Sequence, residues 1–338
     1  MLNLKRFFLR FSLLAILLLI FVECKTSDEP EFLFRAALIP SEDHTWSQAF
    51  VYLGKILEER SKGRIKVEVY PSEQLAKEME AIRLIKTEVI DMTTTGSTLS
   101  NWNEIMVFCE LPFLFKDSTE MKHLVNGFLG KRMEEEMISN AGLRPLGYLL
   151  RGNRHLTSNR PIRHPDDLKG LIIRVPNVPS FVTVWSVLGA KPTPMALSEV
   201  FTSLQQGTIE AQENPFAMIK NMGFAEVQDY LNLTSHVVSW VYPVIGEKQF
   251  QKLPPDLKEI FLEAAKDMIH YEHLLFIENE KKVQEELKAK GMEFITVDKE
   301  AFVLKSEKGI YNSLSPEMQE VYHEIRAELK AVQSDKAK

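Results

Sequence analysis

Arg174 stands inside an otherwise apolar strand, Ile172-Ile173-Arg174-Val175. A strand of a parallel sheet is usually covered on both faces, and an ionised guanidinium there is costly unless it is paired. The residues alone leave two explanations open: a structural carboxylate partner in the same domain, or a guanidinium that waits at a cleft for an incoming anion. Arginine suits the second role because its planar fork can hold a carboxylate through two hydrogen bonds.

Two further polar side chains favour the anion-binding explanation. Arg154 lies in a polar segment, 151–160, at the expected crossover between two domains, and Asn214 follows a strand of the second domain. Ligands of open α/β sheets bind in crevices at the carboxyl ends of the strands. Two cations and an amide that converge there would form a site for an organic anion.

The sequence contains no nucleophile elbow, no P-loop, no dinucleotide-binding glycine motif after a strand and no zinc-protease motif. We therefore predict no enzyme activity, no cofactor and no metal site. His270 and His273 are three residues apart with Glu272 between them. We interpret them as solvated histidines on a helix surface, because a metal site would need further ligands.

Two sets of alternating strands and helices must position these side chains. The first set has predicted strands at 32–38, 65–69 and 89–94 and helices at 46–61 and 77–86, an order that predicts a parallel sheet covered by helices. The second set has a helix at 118–140, strands at 144–150, 171–176 and 209–212, a helix at 178–188 and a helix opened by Ser198 as its N-cap. A helix at 255–290 is long enough to cross both domains, and a last amphipathic helix at 315–330 precedes a polar tail, 333–338.

The composition fits a folded chain of two domains: 338 residues, 45% hydrophobic and 26% charged. It excludes a disordered or multi-spanning membrane protein. The net charge is −6 and no basic block occurs. We therefore expect no nucleic-acid partner, because phosphate binding needs clustered cations.

The N-terminus has the pattern of a targeting leader, 1–23, with a basic start and the apolar run 11–22. That run is short for a spanning helix, although an anchor that stays attached is the alternative. Cys24 follows at the place where a bacterial lipoprotein is cut and acylated, but Glu23 occupies the position of the usual small residue. The other cysteine, Cys109, has apolar neighbours and is expected to be a buried, unreactive side chain.

Several segments of the chain resemble the substrate-binding proteins of tripartite ATP-independent periplasmic (TRAP) transporters, the C4-dicarboxylate and sialic-acid receptor family. The segments occur in the family's order and lie at 63–71, 111–115, 153–160, 167–177, 189–200 and 204–215. The resemblance covers residues 32 to about 310. It implies an α/β, two-lobed periplasmic-binding-protein-like fold with a hinge and a long domain-spanning helix.

The resemblance also implies domain boundaries. The implied segments are a leader at 1–23, a tether at 24–31, a first lobe at 32–151 plus 240–279, a second lobe at 152–239 plus 280–307, and a C-terminal helix at 308–332 that packs on the lobes.

The resemblance assigns roles to individual residues. Arg174 matches the arginine that forms a salt bridge with the substrate carboxylate, and Arg154 matches a second arginine near the ligand. Asn214 and Leu197 match further ligand contacts. Thr95 and Gly96 follow the third strand, where the sialic-acid receptors carry polar and charged groups. Gly96 and Leu99 bring no charge, and Leu38 and Ile39 stand near the first strand in place of amides. We therefore expect a smaller or more apolar carboxylate than a sugar acid.

The function implied by the resemblance is that of an extracytoplasmic receptor. It would bind a small organic acid between its lobes and deliver it to a TRAP permease, in the periplasm or as a lipoprotein whose only membrane contact is the N-terminal anchor at Cys24. The alternative is a membrane-anchored carrier of a hydrophobic ligand, or a scaffold for a protein partner. An apolar first lobe would favour that alternative.

Overall fold

The computed structural model describes residues 29–336. The predicted leader, Cys24 and most of the predicted tether lie outside the described residues. Glu31, from the end of that tether, forms an ion pair of 2.7 Å with Arg64.

The strands among the described residues belong to one mixed sheet in the order β2-β1-β3-β9-β5-β8-β6-β7, with β4 and β10 also paired to β9. They are β1 (Phe32–Ala37), β2 (Ile65–Tyr70), β3 (Met92–Thr95), β4 (Leu143–Pro145), β5 (Leu149–Ser158), β6 (Ile172–Val175), β7 (Lys191–Pro194), β8 (Ala211–Pro215), β9 (Tyr230–Gly246) and β10 (Glu293–Ile295).

The α-helices of residues 29–336 cover both sides of this sheet. They are α1 (Thr45–Arg60), α2 (Glu78–Lys86), α3 (Ser118–Val125), α4 (Phe128–Glu136), α5 (Pro179–Leu188), α6 (Val200–Gln205), α7 (Phe216–Asn221), α8 (Glu247–Gln251), α9 (Pro255–Ala289), α10 (Lys299–Asn312) and α11 (Pro316–Lys336). No helix in the described part of the chain is both long enough and apolar enough to cross a membrane.

The sheet has two sections, which we call the first and the second lobe. In the first lobe, β1 lies parallel to β2 and β3, as the strand order predicted. The prediction of a purely parallel sheet is wrong, because β9 runs antiparallel to β3 from Met92↔Ile245 to Thr95↔Tyr242. In the second lobe, β5 is antiparallel to β8 and β6 is parallel to both β7 and β8.

Two long strands, β5 and β9, connect the lobes. The sequence analysis placed 151–160 in a polar segment, but most of it lies in β5, which pairs with β9 from Leu149↔Val241 to Ser158↔Tyr230. The polar side chains of this strand are buried among other polar groups, so the pattern of a half-apolar strand is absent. Strand β9 was not predicted at all.

Helix α9 confirms the predicted domain-spanning helix. Its first half buries Leu257, Phe261 and Met268 in the core of the first lobe, against α1. Its second half buries Val283 and Leu287 in the core of the second lobe.

Other helices differ from prediction in their boundaries. The helix expected at 118–140 is split into α3 and α4 at Gly127 and ends in a π-helical turn, Met137–Ala141. Helix α10 was not predicted, and α11 extends through most of the expected polar tail. Ser198 lies in a 3-10 turn, Leu197–Glu199, and is not an N-cap. The segment 308–332, predicted as one C-terminal helix, therefore contains the end of α10 and most of α11. The lobe boundaries stay a prediction.

Candidate functional site

A cavity of about 460 Å³ lies between the lobes and is lined by both. The first lobe and the crossing strand β5 supply Trp46, Glu73, Lys77, Glu78, Glu110 and Arg151, among others. The second lobe and the end of β5 supply Arg154, Arg174, Met195, Leu197, Glu199 and Asn214. Four of the six predicted ligand-binding residues thus line one cavity.

Arg174 leaves β6 toward the cavity, whereas its neighbours Ile173 and Val175 pack in the core. Only 4% of its surface is exposed. Its Nε and Nη2 donate to the carbonyl oxygen of Met195 at 3.0 and 2.7 Å. A guanidinium has five N–H bonds, so three remain for another acceptor.

No carboxylate among residues 29–336 lies within 4.0 Å of the Arg174 guanidinium, so the structural-partner explanation finds no support there. Burial lowers the pKa of Arg174 to about 10; the negative charge of Glu213 opposes this shift, and the cations Arg154 and Arg151 reinforce it. The group remains protonated at neutral pH. It is a buried charge whose counter-charge would have to come from a ligand.

Arg154 lines the same cavity, but its guanidinium is paired with carboxylates of the protein itself. Its Nε and Nη2 grip the two carboxylate oxygens of Glu213 at 2.6 and 2.7 Å. Nη2 also donates to the Glu213 carbonyl at 2.8 Å, and Nη1 to Glu110 Oε1 at 3.0 Å. One N–H of five is left for a ligand.

The two carboxylates of this network are ionised. Burial alone would raise the pKa of Glu213, but Arg154 and His236 outweigh it and lower the pKa to about 2. Burial also opposes ionisation of Glu110, and Arg151 and Arg154 outweigh it.

His236 contributes to the network as a neutral ring, because burial lowers its pKa. Its Nε2 lies 2.9 Å from Glu213 Oε2, and its Nδ1 lies 2.8 Å from the Thr234 hydroxyl. Nε2–H therefore donates to the carboxylate and Nδ1 accepts from the hydroxyl.

Sequence analysis missed Arg151, which also lines the cavity. Its Nη1 lies 2.7 Å from Glu110 Oε1, and its buried Nε has no partner among the described residues. Arg151 and Arg154 reach the same network because the β5–β9 register shifts between Leu150 and Gly152. Gly152 has φ +80°, which favours glycine. A glycine between Arg151 and Arg154 could have indicated an irregular strand that turns both arginines to the same side.

The buried charges of this cluster do not cancel. Arg151, Arg154 and Arg174 bring three positive charges, while Glu110 and Glu213 bring two negative ones. A third carboxyl of the cavity, Glu78, is only partly ionised at neutral pH, because burial raises its pKa to about 7. The surplus lies at Arg174, which has no ion pair in the described structure. The arrangement can therefore hold one anionic group at that guanidinium.

Asn214 and Leu197 lie on the second-lobe wall of the cavity. The Asn214 side chain is 1% exposed and donates to Gln212 Oε1 at 2.7 Å, which fixes the orientation of its amide. Leu197 supplies apolar surface and packs against the second-lobe core. Their roles as ligand contacts stay predictions.

Thr95 and Gly96 do not line the cavity and lie behind its first-lobe wall. The Thr95 hydroxyl donates to Glu78 Oε1 at 3.2 Å, and Glu78 faces the cavity. A Cβ on Gly96 would lie 3.6 Å from Glu110 Oε2. These positions can therefore influence a ligand through Glu78 and Glu110.

Contacts between the lobes close the cavity at its rim. Lys77 Nζ lies 2.6 Å from Glu199 Oε1, and Asn101 donates to the Asn177 carbonyl at 3.0 Å. Both pairs join the first lobe to the second, so the structure represents a closed cleft.

The histidines and the cysteine singled out from the sequence are not part of this site. No group of three His, Cys, Asp or Glu side chains within 29–336 could hold a metal ion. His270 is exposed, whereas His273 is half-buried and contacts the Tyr148 carbonyl at 3.0 Å, so only one of the two is solvated as predicted. Cys109 is buried and free, and burial raises the pKa of its thiol well above the usual value.

Comparisons with known proteins agree with this geometry. The family described as bacterial extracellular solute-binding protein, family 7, matches residues 36–308. A solute-binding protein of Roseobacter denitrificans is 40% identical over 298 residues, 88% of this chain and 92% of that protein. The 2,3-diketo-L-gulonate-binding periplasmic protein of Escherichia coli is 34% identical over 250 residues, 73% of this chain and 76% of that protein.

Solved structures show the same fold. The TRAP periplasmic solute-binding protein of Roseobacter denitrificans, with bound L-galactonate, has a TM-score of 0.86 and covers 88% of this chain and 99% of its own. That of Haemophilus influenzae, with bound L-gulonate, is 30% identical with a TM-score of 0.83, and covers 88% and 99%. The chain therefore belongs to the family-7 extracellular solute-binding proteins, the extracytoplasmic receptors of TRAP transporters, and is a receptor and not an enzyme.

Proposed function

We propose that this receptor binds a six-carbon sugar acid, an aldonate or uronate, and delivers it to a TRAP permease. The observation that carries the proposal is Arg174, a buried guanidinium with three free N–H bonds and no carboxylate partner in the described chain. A ligand carboxylate would supply the missing charge.

The choice of sugar acids is supported by the relatives. Solved relatives at 40% and 30% identity hold L-galactonate and L-gulonate, and a curated relative is named for 2,3-diketo-L-gulonate. All three are polyhydroxy acids with one carboxylate. A cavity of about 460 Å³ is large enough for a ligand of this size.

The expectation of a smaller or more apolar ligand is at odds with the cavity wall. It rested on Leu38, Ile39, Gly96 and Leu99, of which only Ile39 lines the cavity. Glu78, Glu110 and Arg151 face the cavity from the same side. Charged and hydrogen-bonding groups at that wall suit the hydroxyls of a sugar chain better than an apolar tail. For the same reason, the carrier of a hydrophobic ligand is not favoured.

The energetics are sufficient for a micromolar receptor, which needs about −8 kcal/mol overall. A charge-assisted pair contributes about 1.5–3 kcal/mol net, and hydroxyl contacts and apolar burial supply the rest. Truncation of Arg174 should cost more than the pair itself contributes, because the ligand carboxylate would stay buried and unpaired.

Isothermal titration calorimetry with L-galactonate tests the proposal. We expect Arg174→Ala to weaken binding at least about tenfold while thermal unfolding stays cooperative. Arg160→Ala, an exposed arginine outside the cavity, is the matched control and should bind as the wild type does. Equal affinity of Arg174→Ala and wild type would overturn the carboxylate role.

Delivery to a permease is supported by family membership alone. We propose a periplasmic location, and acylation of Cys24 remains a prediction that mass spectrometry of the exported protein would test. Co-expression with a TRAP permease should give uptake of L-galactonate that depends on this receptor, and uptake independent of it would contradict the proposal.

A further inference from the structure

A second cavity, of about 310 Å³, lies at the two C-terminal helices and shares no lining residue with the cavity between the lobes. We call it the C-terminal cavity. Its wall is formed by the segment 113–120, which leads into α3, by the first turns of α10 and by the second half of α11. Its charged lining residues are four cations and one acid: Lys116, Lys299, Arg326, Lys330 and Glu120.

Three of these cations have no ion pair of 4.0 Å or less within residues 29–336: Lys116, Lys299 and Arg326. By contrast Lys305, further along α10, pairs with Asp166 at 2.8 Å. The Arg326 side chain donates only a long hydrogen bond, of 3.5 Å, from Nη1 to the carbonyl oxygen of Leu114. Desolvation lowers the pKa of Lys299, and no neighbouring acid offsets this shift. The C-terminal cavity therefore holds positive charge that the described chain leaves without a counter-charge.

The acids that lie close to these cations along the chain are bound to backbone amides. The Glu120 carboxylate accepts from the Lys116 amide at 2.8 Å. Asp117 caps α3 by accepting from the amides of Thr119 and Glu120 at 2.8 and 3.1 Å. Asp298 caps α10 by accepting from the Ala301 amide at 3.0 Å. These carboxylates reduce the positive charge around the cavity, but their positions are set by the helix N-termini.

The two walls of the C-terminal cavity come from different lobes. Helix α10 packs on α5, in the predicted second lobe, so closely that a Cβ on Gly309 would lie 2.7 Å from Val187 Cγ2. Helix α11 is bound to α3 and α4, in the predicted first lobe, through the pairs His123–Glu328 and Arg132–Glu317 at 2.8 Å each. Lys299 therefore lies on the second-lobe side of the cavity, and Lys116 and Arg326 lie on the first-lobe side.

We propose that the C-terminal cavity is a second anion site: it binds a small multivalent organic anion, such as a tricarboxylate, and this anion favours the closed cleft. At least two carboxylates are needed to reach Lys299 on one side and Lys116 and Arg326 on the other, through charge-assisted hydrogen bonds. An anion that joins cations of both lobes binds the closed state better than the open one and shifts the population toward it. A sugar acid with one carboxylate engages only one side, and an exposed ion pair contributes little.

Citrate is the probe, and Arg174→Ala is the background, because this variant lacks the cation that could hold citrate in the cleft. In isothermal titration calorimetry, adding Lys299→Ala or Lys116→Ala should weaken citrate binding about tenfold. Lys308→Ala, an exposed lysine of α10 outside the cavity, should have no effect. Sodium acetate at the same ionic strength should show no binding, which separates binding from screening. Absence of citrate binding, or an equal affinity after Lys299→Ala, would overturn the second site.

The effect on closure is measured with the wild type and L-galactonate, and this measurement alone rests on the proposed function. Citrate should lower the Kd for L-galactonate about fivefold, and Lys299→Ala should abolish that change. A Kd that citrate leaves unchanged or raises would overturn the link to closure. A wild type that binds no L-galactonate would overturn the proposed function, whereas citrate binding by Arg174→Ala would still decide the second site.

Discussion

Arg154 and Arg174 are two arginines of one cavity, and both are almost completely buried. Four of the five N–H bonds of Arg154 go to Glu213 and Glu110. Arg174 has only the carbonyl oxygen of Met195. The first arginine is therefore part of the folded chain's own charge balance, while the second is left in surplus.

The comparison teaches that burial alone does not identify a ligand-binding cation. Residue type, exposure and position do not distinguish the two side chains as ligand-binding groups. The number of carboxylates around each guanidinium distinguishes them. Loss of the Arg154 pair should therefore lower the stability of the fold, whereas loss of Arg174 should abolish ligand binding.

The largest effect is expected from breaking the Arg154 pair. Glu213→Gln leaves a buried guanidinium without its fork partner, which costs about 3–5 kcal/mol of unfolding free energy. Urea denaturation without ligand measures this loss. Glu58→Gln, an exposed position on α1, serves as control and should be neutral. A loss below about 1 kcal/mol would mean that the pair is not structural.

The opposite result is expected for Arg174→Met in the absence of ligand. Replacing a buried cation that has no counter-charge by an apolar side chain should leave the unfolding free energy unchanged or raise it by about 1–2 kcal/mol. The rise in Tm on adding L-galactonate should vanish, because the ligand no longer binds the folded state. If Arg174→Met lowered the unfolding free energy as much as Glu213→Gln does, Arg174 would be a structural residue like Arg154.

Glu272 extends the comparison to a buried acid without a cation. It is fully buried on α9, and its oxygens accept from the Thr45 hydroxyl and the Leu150 amide at 3.1 and 3.0 Å. Burial raises its pKa to about 8 from an ordinary 4.5. Between these values the folded chain holds a proton that the unfolded chain releases, so stability falls as the pH rises through this window.

Glu272→Gln should remove that dependence, because the amide imitates the protonated acid. We expect the variant to match the wild type at about pH 5 and to exceed it at about pH 8.5, by an amount on the order of a few kcal/mol. Urea denaturation at both values measures the difference. A variant that is equally destabilised at both values would show that Glu272 is ionised in the fold.

The smallest effect is expected at the rim of the cleft. Lys77→Ala removes the ion pair with Glu199, but both side chains are about half exposed, at 48% and 53%. Exposed ion pairs contribute little, so the Kd for L-galactonate should change by no more than about threefold. A tenfold change in calorimetry would mean that the rim pair holds the lobes closed.

The sequence was informative where a pattern is local. The strand around Arg174, helix α2 and the long helix α9 follow from apolar periodicity and from breaks at glycine and proline. The sequence also predicted an unpaired Arg174 as one of two explanations, because an arginine in an apolar strand is costly unless a carboxylate of the chain or of a ligand pairs with it.

The partners of the buried charges could not be foreseen. Arg154 meets Glu213 because β5 lies antiparallel to β8 with Leu156 opposite Glu213, a register that only the folded sheet defines. Because this network places polar side chains at buried positions of β5, the sequence of β5 has the polar pattern that is typical of a loop. Glu78 was missed because its neighbours on α2 give an ordinary amphipathic pattern.

Strand β9 has a consequence for how the molecule forms. The edge of β3 is completed by Tyr242–Ile245, and most of the second lobe lies between these two strands along the chain. Strand pairings so distant in sequence form slowly, because the entropy cost of closing a large loop must be met before the stabilising contacts form. A chain that is threaded through a membrane from its N-terminus therefore emerges with its first lobe unfinished, and it must stay unaggregated until nearly three quarters of it has been delivered.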